Sequence, residues 1–290
     1  DNPADLPSIE ELKKKVKDFA DNLMELKETP MIEEYYTGPV LFEEGAASRL
    51  FTDNLLSPGR LLALRTMAPA RGMLDEQLGR RIIDSRLTVK NYTTLAEYNG
   101  TPLFGCYEID GDGVVPAAEL TLVENGVFKR MLNGRVPTLK APESTGSARF
   151  MISPDNPMAI VSPGTIHVQA SKGVGPEKLK KALLKAAKEA DLEYAYIVRR
   201  IGGEASAVYK VNVKDGKEIR VRVNNLSAPE LTKLMDLKGI SSDERVMNYL
   251  PNGVPASLIY PSAIIVGDVE INRTTPKIEE EPVLKHPLQR

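Results

Sequence analysis

Few residues of this chain could act as a nucleophile or bind a metal through sulfur or nitrogen. The 290 residues include one cysteine, Cys106, and two histidines, His167 and His286, which are far apart in the sequence. A single cysteine excludes a disulfide within the chain, and it excludes a zinc site made of four cysteines or of two cysteines and two histidines. Cys106 could attack a substrate only with a base such as His167 beside it. Its position in an apolar run instead predicts a buried filler of a strand. The alternation around His167 predicts a strand side chain that faces solvent or accepts one hydrogen bond.

Acidic residues are the other candidates for chemistry. Asp110 and Asp112 stand in an Asp-Gly-Asp-Gly sequence that resembles half of a calcium-binding loop. Such a loop needs a glutamate at its twelfth position, where this chain has Thr121, so a turn stabilised by aspartate side chains is the favoured interpretation. Glu43 and Glu44 are adjacent at the end of an apolar run. In a continuing strand they would point to opposite faces and could not act as a carboxylate pair.

Charge and composition exclude several classes of function. The net charge of -2, from 38 basic and 40 acidic residues, gives no long-range attraction to nucleic acid. Lysines recur on one face of a predicted helix that opens at Pro176, a pattern typical of a solvated surface. The turn at residues 144–149 offers backbone N–H groups to an anion but lacks the lysine of a phosphate-binding loop. No apolar run reaches the ~18 residues of a membrane span, and no signal peptide is visible at Asp1.

The N-terminal part of the chain predicts a helix and then a strand that enters a second helix. Ser8 and Glu11 form a capping box, which predicts the start of an amphipathic helix that ends near Glu28. Residues 39–43 predict a strand, and residues 46–51 predict a short helix directly after it. This junction must position the adjacent acids. Residues 58–79 lack a steady period and predict a long surface excursion.

Two Xaa-Gly pairs between β-patterned runs predict hairpins. Asn125 and Gly126 supply the positive φ angles of a type I′ turn, and Asp215 and Gly216 predict a second hairpin. The other predicted strands lie at residues 86–90, 104–109, 117–124, 127–132, 158–161, 165–170, 194–198, 207–213, 218–223 and 257–269, and a short helix is predicted at 228–237. Because local hairpins dominate and helices do not alternate with strands, we predict an α+β fold with a large, mainly antiparallel, twisted sheet and a few peripheral helices.

Four short motifs, in one order along about residues 37–270, resemble those of a known family. They lie at residues 38–42 with 45–47, at 109–113 with 123–127, at 144–149 and at 161–164. Together they are similar to the C-terminal domain of the TldD/PmbA family, also classified as peptidase family U62 and described as a modulator of DNA gyrase. The resemblance implies a domain at residues 37–273, with a helix and lead-in at 1–36 and a surface tail at 274–290.

The resemblance also implies a metal site, and this sequence departs from it. Active members carry a His-Glu-x-x-x-His motif where the first strand enters its helix, together with a late cysteine, and these hold zinc for peptide hydrolysis. The equivalent positions here are Glu43, Glu44 and Ser48, with Met247 in the region of the cysteine. Glu44 keeps the place of the general base, but both imidazoles are absent and a thioether is a poor zinc ligand. We therefore expect no catalytic residue, no cofactor and no bound metal.

Three functions follow from this comparison, and the sequence leaves them open. The first is a catalytically inactive subunit that binds an extended peptide by strand addition and forms a homodimer, or a heterodimer with a motif-bearing relative. The second is an active metallopeptidase with non-standard ligands, such as His167 with acidic groups. The third is a structural interaction module without a peptide groove. The resemblance implies a cytoplasmic location, while an exported form and a leader or domain before Asp1 remain open.

Overall fold

The computed structural model describes residues 7–32, 34–65, 73–151, 158–202, 206–223 and 226–272. These ranges contain the α-helices α1 (Ile9–Glu28), α2 (Glu44–Leu55) and α3 (Pro176–Glu189) and short 3₁₀ turns at Leu74–Gln77, Leu231–Met235 and Pro251–Gly253. The tail prediction for residues 274–290, and with it His286, lies outside the described residues.

Most strands of the described residues belong to two six-stranded sheets. The first sheet contains, in spatial order, β12 (Glu218–Val221), β11 (Ala207–Asn212), β10 (Tyr194–Arg200), β1 (Tyr36–Glu43), β16 (Ala263–Ile271) and β13 (Leu237–Ile240). The second contains β14 (Glu244–Tyr249), β15 (Ala256–Pro261), β9 (Thr165–Ala170), β2 (Leu87–Tyr92), β5 (Glu119–Glu124) and β6 (Val127–Phe128). Two separate strand pairs are β3 (Glu97–Tyr98) with β4 (Thr101–Pro102), and β7 (Ala148–Met151) with β8 (Met158–Val161).

Each large sheet has one parallel pair among antiparallel neighbours. In the first sheet β1 runs parallel to β10, with Val40 opposite Tyr196, and antiparallel to β16. In the second sheet β15 runs parallel to β9, with Leu258 opposite Ile166. The predicted α+β class is confirmed. The strands are divided between two sheets, and the inner faces of both sheets contribute side chains to one shared core.

The two sheets and α2 share the main hydrophobic core. Val40 and Phe42 of β1 face this core, whereas Leu41 faces the opposite side of the first sheet. On that opposite side α3 covers the sheet with Leu179 and Leu183. The layers are therefore α3, the first sheet, and then α2 with the second sheet. A strand packed on both faces requires a continuous apolar run, which residues 40–42 provide.

Two local predictions about turns and caps are confirmed. Asn125 and Gly126 have φ angles of 47° and 78° and form the turn between β5 and β6. A Cβ on Gly126 would lie 2.5 Å from the carbonyl oxygen of Ile83, so both the backbone angle and the space require glycine there. At α1 the amide of Glu11 donates to Ser8 Oγ at 3.2 Å, and the amide of Ser8 donates to Glu11 Oε2 at 2.8 Å.

Asp110 stabilises a turn, as predicted. Its Oδ1 accepts hydrogen bonds from the amides of Asp112 at 2.9 Å and Val114 at 2.8 Å, and its Oδ2 accepts from Ala148 at 3.0 Å. Asp112 forms an ion pair with Arg65 at 2.9 Å. Both carboxylates are therefore occupied by backbone donors or by a guanidinium.

The predictions of a strand at residues 104–109 and of a buried Cys106 are wrong. This segment is a loop, and Cys106 is exposed. Its neighbour Tyr107 donates its amide to Thr93 O at 2.9 Å, and the thiol itself donates to Leu95 O at 2.8 Å. The apolar alternation misleads because the segment bonds to the loop before β3 rather than to a sheet. The predicted strand at 127–132 is confined to Val127–Phe128, and the predicted helix at 228–237 is a 3₁₀ turn at Leu231–Met235.

Candidate functional site

The junction of β1 and α2 positions the first of the motif-equivalent residues, Glu43. It ends β1 and occupies the N-cap position of α2. Because side chains alternate along a strand, Glu43 shares the face of Leu41, which α3 covers. On that face Arg199 of β10 directs Nε to Glu43 Oε2 at 3.1 Å.

Arg199 joins Glu43 to a larger ion network. Arg199 Nη2 lies 2.9 Å from Glu218 Oε2, and Lys180 Nζ of α3 lies 2.6 Å from Glu218 Oε1. The guanidinium also stacks 4.4 Å above the centre of the Tyr209 ring. Burial would lower the pKa of Arg199, but the hydrogen bond to Glu43 and the charges of both glutamates raise it well above its usual value. The carboxylates of Glu43 and Glu218 and the cations of Arg199 and Lys180 thus neutralise one another.

Glu44 opens α2 in an unusual backbone conformation. Its φ is 51°, its amide donates to Ser262 O at 3.1 Å, and its carbonyl accepts from Tyr260 Oη at 3.3 Å. The side chain is exposed. A glutamate in left-handed backbone is costly and persists only where the surrounding structure holds it. The hydrogen bonds with Ser262 and Tyr260 stabilise this conformation of Glu44.

The hydroxyl of Tyr260 donates to the carbonyl of Glu44 and interacts with Ser48, and Arg245 lies opposite Tyr260 in the β14–β15 ladder; we call these four residues the Tyr260 cluster. Ser48 is 2 % exposed and donates from Oγ to Gly45 O at 2.9 Å. Burial raises the pKa of Tyr260, while the charge of Arg245 and a hydrogen bond with Ser48 act against that rise. The cluster combines a buried phenol with the exposed side chains of Glu44 and Arg245.

Met247 lies near this cluster but contributes packing. On β14 it is opposite Leu258, and since side chains alternate it shares a face with Arg245. Its side chain is partly buried against the main core. The structure therefore brings Glu44, Ser48 and Met247 to the α2 side of the first sheet, whereas Glu43 faces the α3 side. Among the described residues no three His, Cys, Asp or Glu side chains converge as a metal site would require.

His167 is buried, so of the two predicted environments, solvent or an accepted hydrogen bond, the structure shows the second. It lies on the outer face of the second sheet, where its Nε2 is 2.9 Å from Glu244 Oε1 and its Nδ1 accepts from Gln169 at 3.4 Å. Tyr98 donates to the second oxygen of Glu244 and its ring meets the imidazole edge-on at 5.3 Å. Burial would raise the pKa of Glu244, but the hydrogen bonds from His167 and Tyr98 lower it. The sequence pattern did not predict that β3 covers His167, because a two-residue strand has no periodicity.

Among the described residues, no strand pairs with the outer edge of β14, which lies beside the Tyr260 cluster. β14 ends the sheet order, and its single strand neighbour in the described chain is β15. Ser262 N donates to Asp243 O at 2.7 Å, which sets the alternation of the antiparallel ladder. The backbone groups of Glu244, Val246 and Asn248 are then directed away from β15. Such a row of unpaired donors and acceptors is a template for another strand.

The sequence and the fold both agree with one family. A model of the PmbA/TldA metallopeptidase C-terminal domain matches residues 35–272. The chain belongs to this family. It is therefore related to metallopeptidases, and α1 precedes the matched region.

Two solved structures are similar to this chain, and both are longer than it. TldE from Thermococcus kodakarensis is 17 % identical with a TM-score of 0.54, and the match covers 82 % of this chain and 51 % of that one. A proposed modulator of DNA gyrase from Bacteroides thetaiotaomicron is 14 % identical with a TM-score of 0.46, and the match covers 82 % of this chain and 49 % of that one. The chain thus spans about half the length of these relatives. No curated protein matches the sequence. No helix among the described residues is long and apolar enough to cross a membrane.

Proposed function

We propose that this chain is a catalytically inactive member of the PmbA/TldD family that binds an extended peptide and works beside another subunit. The observation that carries the proposal is the ion pair between Glu43 and Arg199. A carboxylate that already neutralises a guanidinium has little charge to offer a cation. It also faces α3, whereas Ser48 and Met247 lie on the α2 side.

The other donors do not fit the zinc ion that the family implies. Zinc in proteins is held by imidazole, thiolate or carboxylate groups. The hydroxyl of Ser48 is already bonded to Gly45 O, and the thioether of Met247 is packed against the core. Glu44 alone keeps a free carboxylate at the motif, and a single carboxylate is a weak site for a transition metal. We infer no hydrolytic step here.

The open edge of β14 supports peptide binding by strand addition. Main-chain hydrogen bonds to Glu244, Val246 and Asn248 would supply affinity that is independent of the peptide sequence. The adjacent Tyr260 cluster would supply selection, because Arg245 and Glu44 present opposite charges next to that edge. The expected ligand is therefore an unfolded segment of polypeptide rather than a folded surface.

A zinc titration tests the loss of catalysis. We expect the purified full chain to bind no zinc more tightly than about 1 µM, which is far weaker than structural sites. The measurement is metal analysis after gentle purification, followed by competition with a fluorescent zinc chelator. Stoichiometric zinc that is lost in Glu44→Gln but kept in Asp53→Asn, a change of an exposed acid on the same helix, would contradict the proposal and favour an active peptidase.

Removal of one backbone donor from the open edge tests the peptide site. Val246→Pro deletes an N–H directed away from β15, a change that edge strands tolerate, whereas Val246→Ala keeps that N–H. We expect the proline variant to bind a fluorescent Thr/Val peptide of about ten residues at least tenfold more weakly, and the alanine variant to match the parent. The readout is fluorescence anisotropy. Equal affinity for all three proteins would place the peptide elsewhere, and no binding by the parent would favour a pure interaction module.

The proposed partner is a second copy or a motif-bearing family member, and the proposed location is the cytoplasm. A subunit that recognises peptides without cleaving them needs a subunit that supplies the metal. Affinity purification from the native organism, with mass spectrometry of what is retained, tests this. A protein carrying His-Glu-x-x-x-His is the expected companion, and its reproducible absence would count against the heterodimer.

A further inference from the structure

A cavity of about 350 Å³, which we call the β5 cavity, lies at the β5–β6 end of the second sheet. Its walls are the segment before β5, β5 itself, the segment after β6 and the loop at residues 140–145. The volume is at the lower end of the range found for small-molecule sites. In the sheet order this end is opposite to β14, and the lining includes no residue of the Tyr260 cluster.

The floor of the β5 cavity is apolar. Met131 is 2 % exposed, and Leu78, Leu120 and Ala141 are partly buried against the main core. Val115 also lines the cavity and is 73 % exposed. An apolar ligand group that covered these side chains would remove their surface from water, which is favourable. The floor therefore suits the apolar body of a ligand.

The rim of the β5 cavity is mainly basic. Lys129, Arg130 and Lys140 line it together with one acid, Glu143. Lys129 is already paired with Glu124, whose carboxylate lies 3.2 Å from its Nζ. In the described parts of the chain, the side chains of Arg130 and Lys140 are exposed and take part in no ion pair. These two cations can bind an anion, and the planar guanidinium matches a carboxylate in a bidentate manner.

Buried hydrogen bonds hold the loop that forms one wall of the β5 cavity. Asn133 is fully buried, and its Nδ2 donates to Ala141 O at 2.7 Å. The amide of Asn133 donates to Thr145 Oγ1 at 2.7 Å, and that hydroxyl donates to Asn133 O at 3.0 Å. The amide of Ala141 donates to Thr138 Oγ1 at 3.0 Å. Because the wall is fixed in this way, a ligand would not have to order it on binding.

We propose that the β5 cavity binds a small amphipathic anion, namely a carboxylate on an aliphatic body of medium length. The carboxylate pairs with Arg130 and Lys140, and the body covers Leu120 and Met131. An inorganic anion would leave the floor in water, and a cationic amphiphile would meet two like charges. The proposal does not rest on the peptide function, because the β5 cavity and β14 share no residue.

Isothermal titration calorimetry of the full chain with decanoate tests the chemistry of the ligand. We expect a Kd of about 0.1 mM, as fits a small ligand with few polar contacts. Acetate has the charge without the body, and decyltrimethylammonium has the body with the opposite charge. Both should bind at least about tenfold more weakly than decanoate. Glu143→Gln removes the acid from the rim and should tighten the binding of decanoate about two- to threefold.

Two pairs of variants test the location of the ligand. Ala117→Trp fills the cavity from an exposed position and should weaken the binding of decanoate at least about tenfold. Its control, Ala118→Trp, changes an exposed neighbour outside the lining and should leave the affinity unchanged. Lys140→Glu should also weaken binding at least about tenfold, whereas Lys172→Glu, at an exposed lysine outside the lining, should not. Thermal unfolding checks the fold of each variant, and either pair decides if a variant of the other fails to fold.

Several results would overturn the proposal. They are the absence of binding at about 1 mM decanoate, equal affinity for acetate or for the cationic amphiphile, and unchanged affinity in a folded Ala117→Trp or Lys140→Glu variant. The Val246 variants keep the two proposals separate. A chain that binds the peptide at β14 but not decanoate would refute the anion site alone, and the reverse result would refute the peptide site alone.

Discussion

The ion pair at the end of β1 permits a quantitative test of whether Glu43 serves the structure rather than a metal. If Glu43 serves the structure, it must be energetically coupled to Arg199. The two side chains are 23 and 30 % exposed, intermediate between a surface pair and a buried one. Surface pairs contribute 0.2–1 kcal/mol and charge-assisted hydrogen bonds about 1.5–3 kcal/mol, so we expect a coupling of about 1 kcal/mol after screening by solvent.

A double-mutant cycle of Glu43→Gln and Arg199→Gln measures this coupling through urea unfolding. The cycle removes the contribution of Glu218, which Arg199 loses in both arms. A matched control is the pair Arg49 and Asp53 on α2, which is 51 and 36 % exposed at 2.9 Å. Its expected coupling is about 0.3–0.5 kcal/mol. If the Glu43 cycle gave no more than this control, Glu43 would be free to bind a ligand and the reasoning would be refuted.

Three further predictions concern stability. The carboxylate of Asp84 accepts a hydrogen bond from the Leu237 amide at 2.9 Å and pairs with Arg86 at 2.7 Å. We therefore expect Asp84→Asn to lower the free energy of unfolding in urea by about 2–4 kcal/mol. Those hydrogen bonds outweigh burial and lower the pKa of Asp84 from 3.8 to about 2, so a stabilisation of about 2 kcal/mol that is complete above pH 4 should be lost as the pH falls from 4 to 2. This loss of stability in acid should be absent in Asp84→Asn. A variant whose stability falls with pH as that of the parent does would disprove the assignment of the loss to Asp84. Gly126→Ala should lower the free energy of unfolding by more than about 2 kcal/mol, because it introduces both backbone strain and a clash. Gly100→Ala, at a φ of 78° with open space around it, should lower it by about 1 kcal/mol. Equal losses in the thermal unfolding of the two variants would contradict the packing argument.

The sequence predicted those parts of the fold whose cause is local. The Ser8 cap, the Asn125–Gly126 turn and the apolar strand at residues 40–42 each depend on side chains within a few residues of one another. The division into two sheets was not predictable in this way, because the parallel pairing of β1 with β10 depends on residues far apart in the sequence. The strand expected at residues 104–109 is absent for the same reason, because the amide of Tyr107 donates to Thr93 in a neighbouring loop and that of Phe104 donates to the distant Ser257.

The candidate site was predictable only in part. The resemblance to the family pointed to Glu43, Glu44, Ser48 and Met247, and the structure places three of them on one side of the first sheet. It could not reveal that Arg199 neutralises Glu43, since an ion pair between neighbouring strands leaves no local pattern. The role of Tyr260 was equally hidden, because an isolated tyrosine in an apolar strand has no spacing signal that would link it to α2.

The central place of β1 in the first sheet has a consequence for biosynthesis. Its neighbours are β10 and β16, so the earliest strand of the family domain pairs only with segments that are translated much later. Until then Val40, Leu41 and Phe42 form an unpaired apolar strand, the kind of segment that aggregates or recruits chaperones. Non-local pairing of this type also slows folding. The nascent chain can thus complete the pairing of β1 only when translation has passed residue 271.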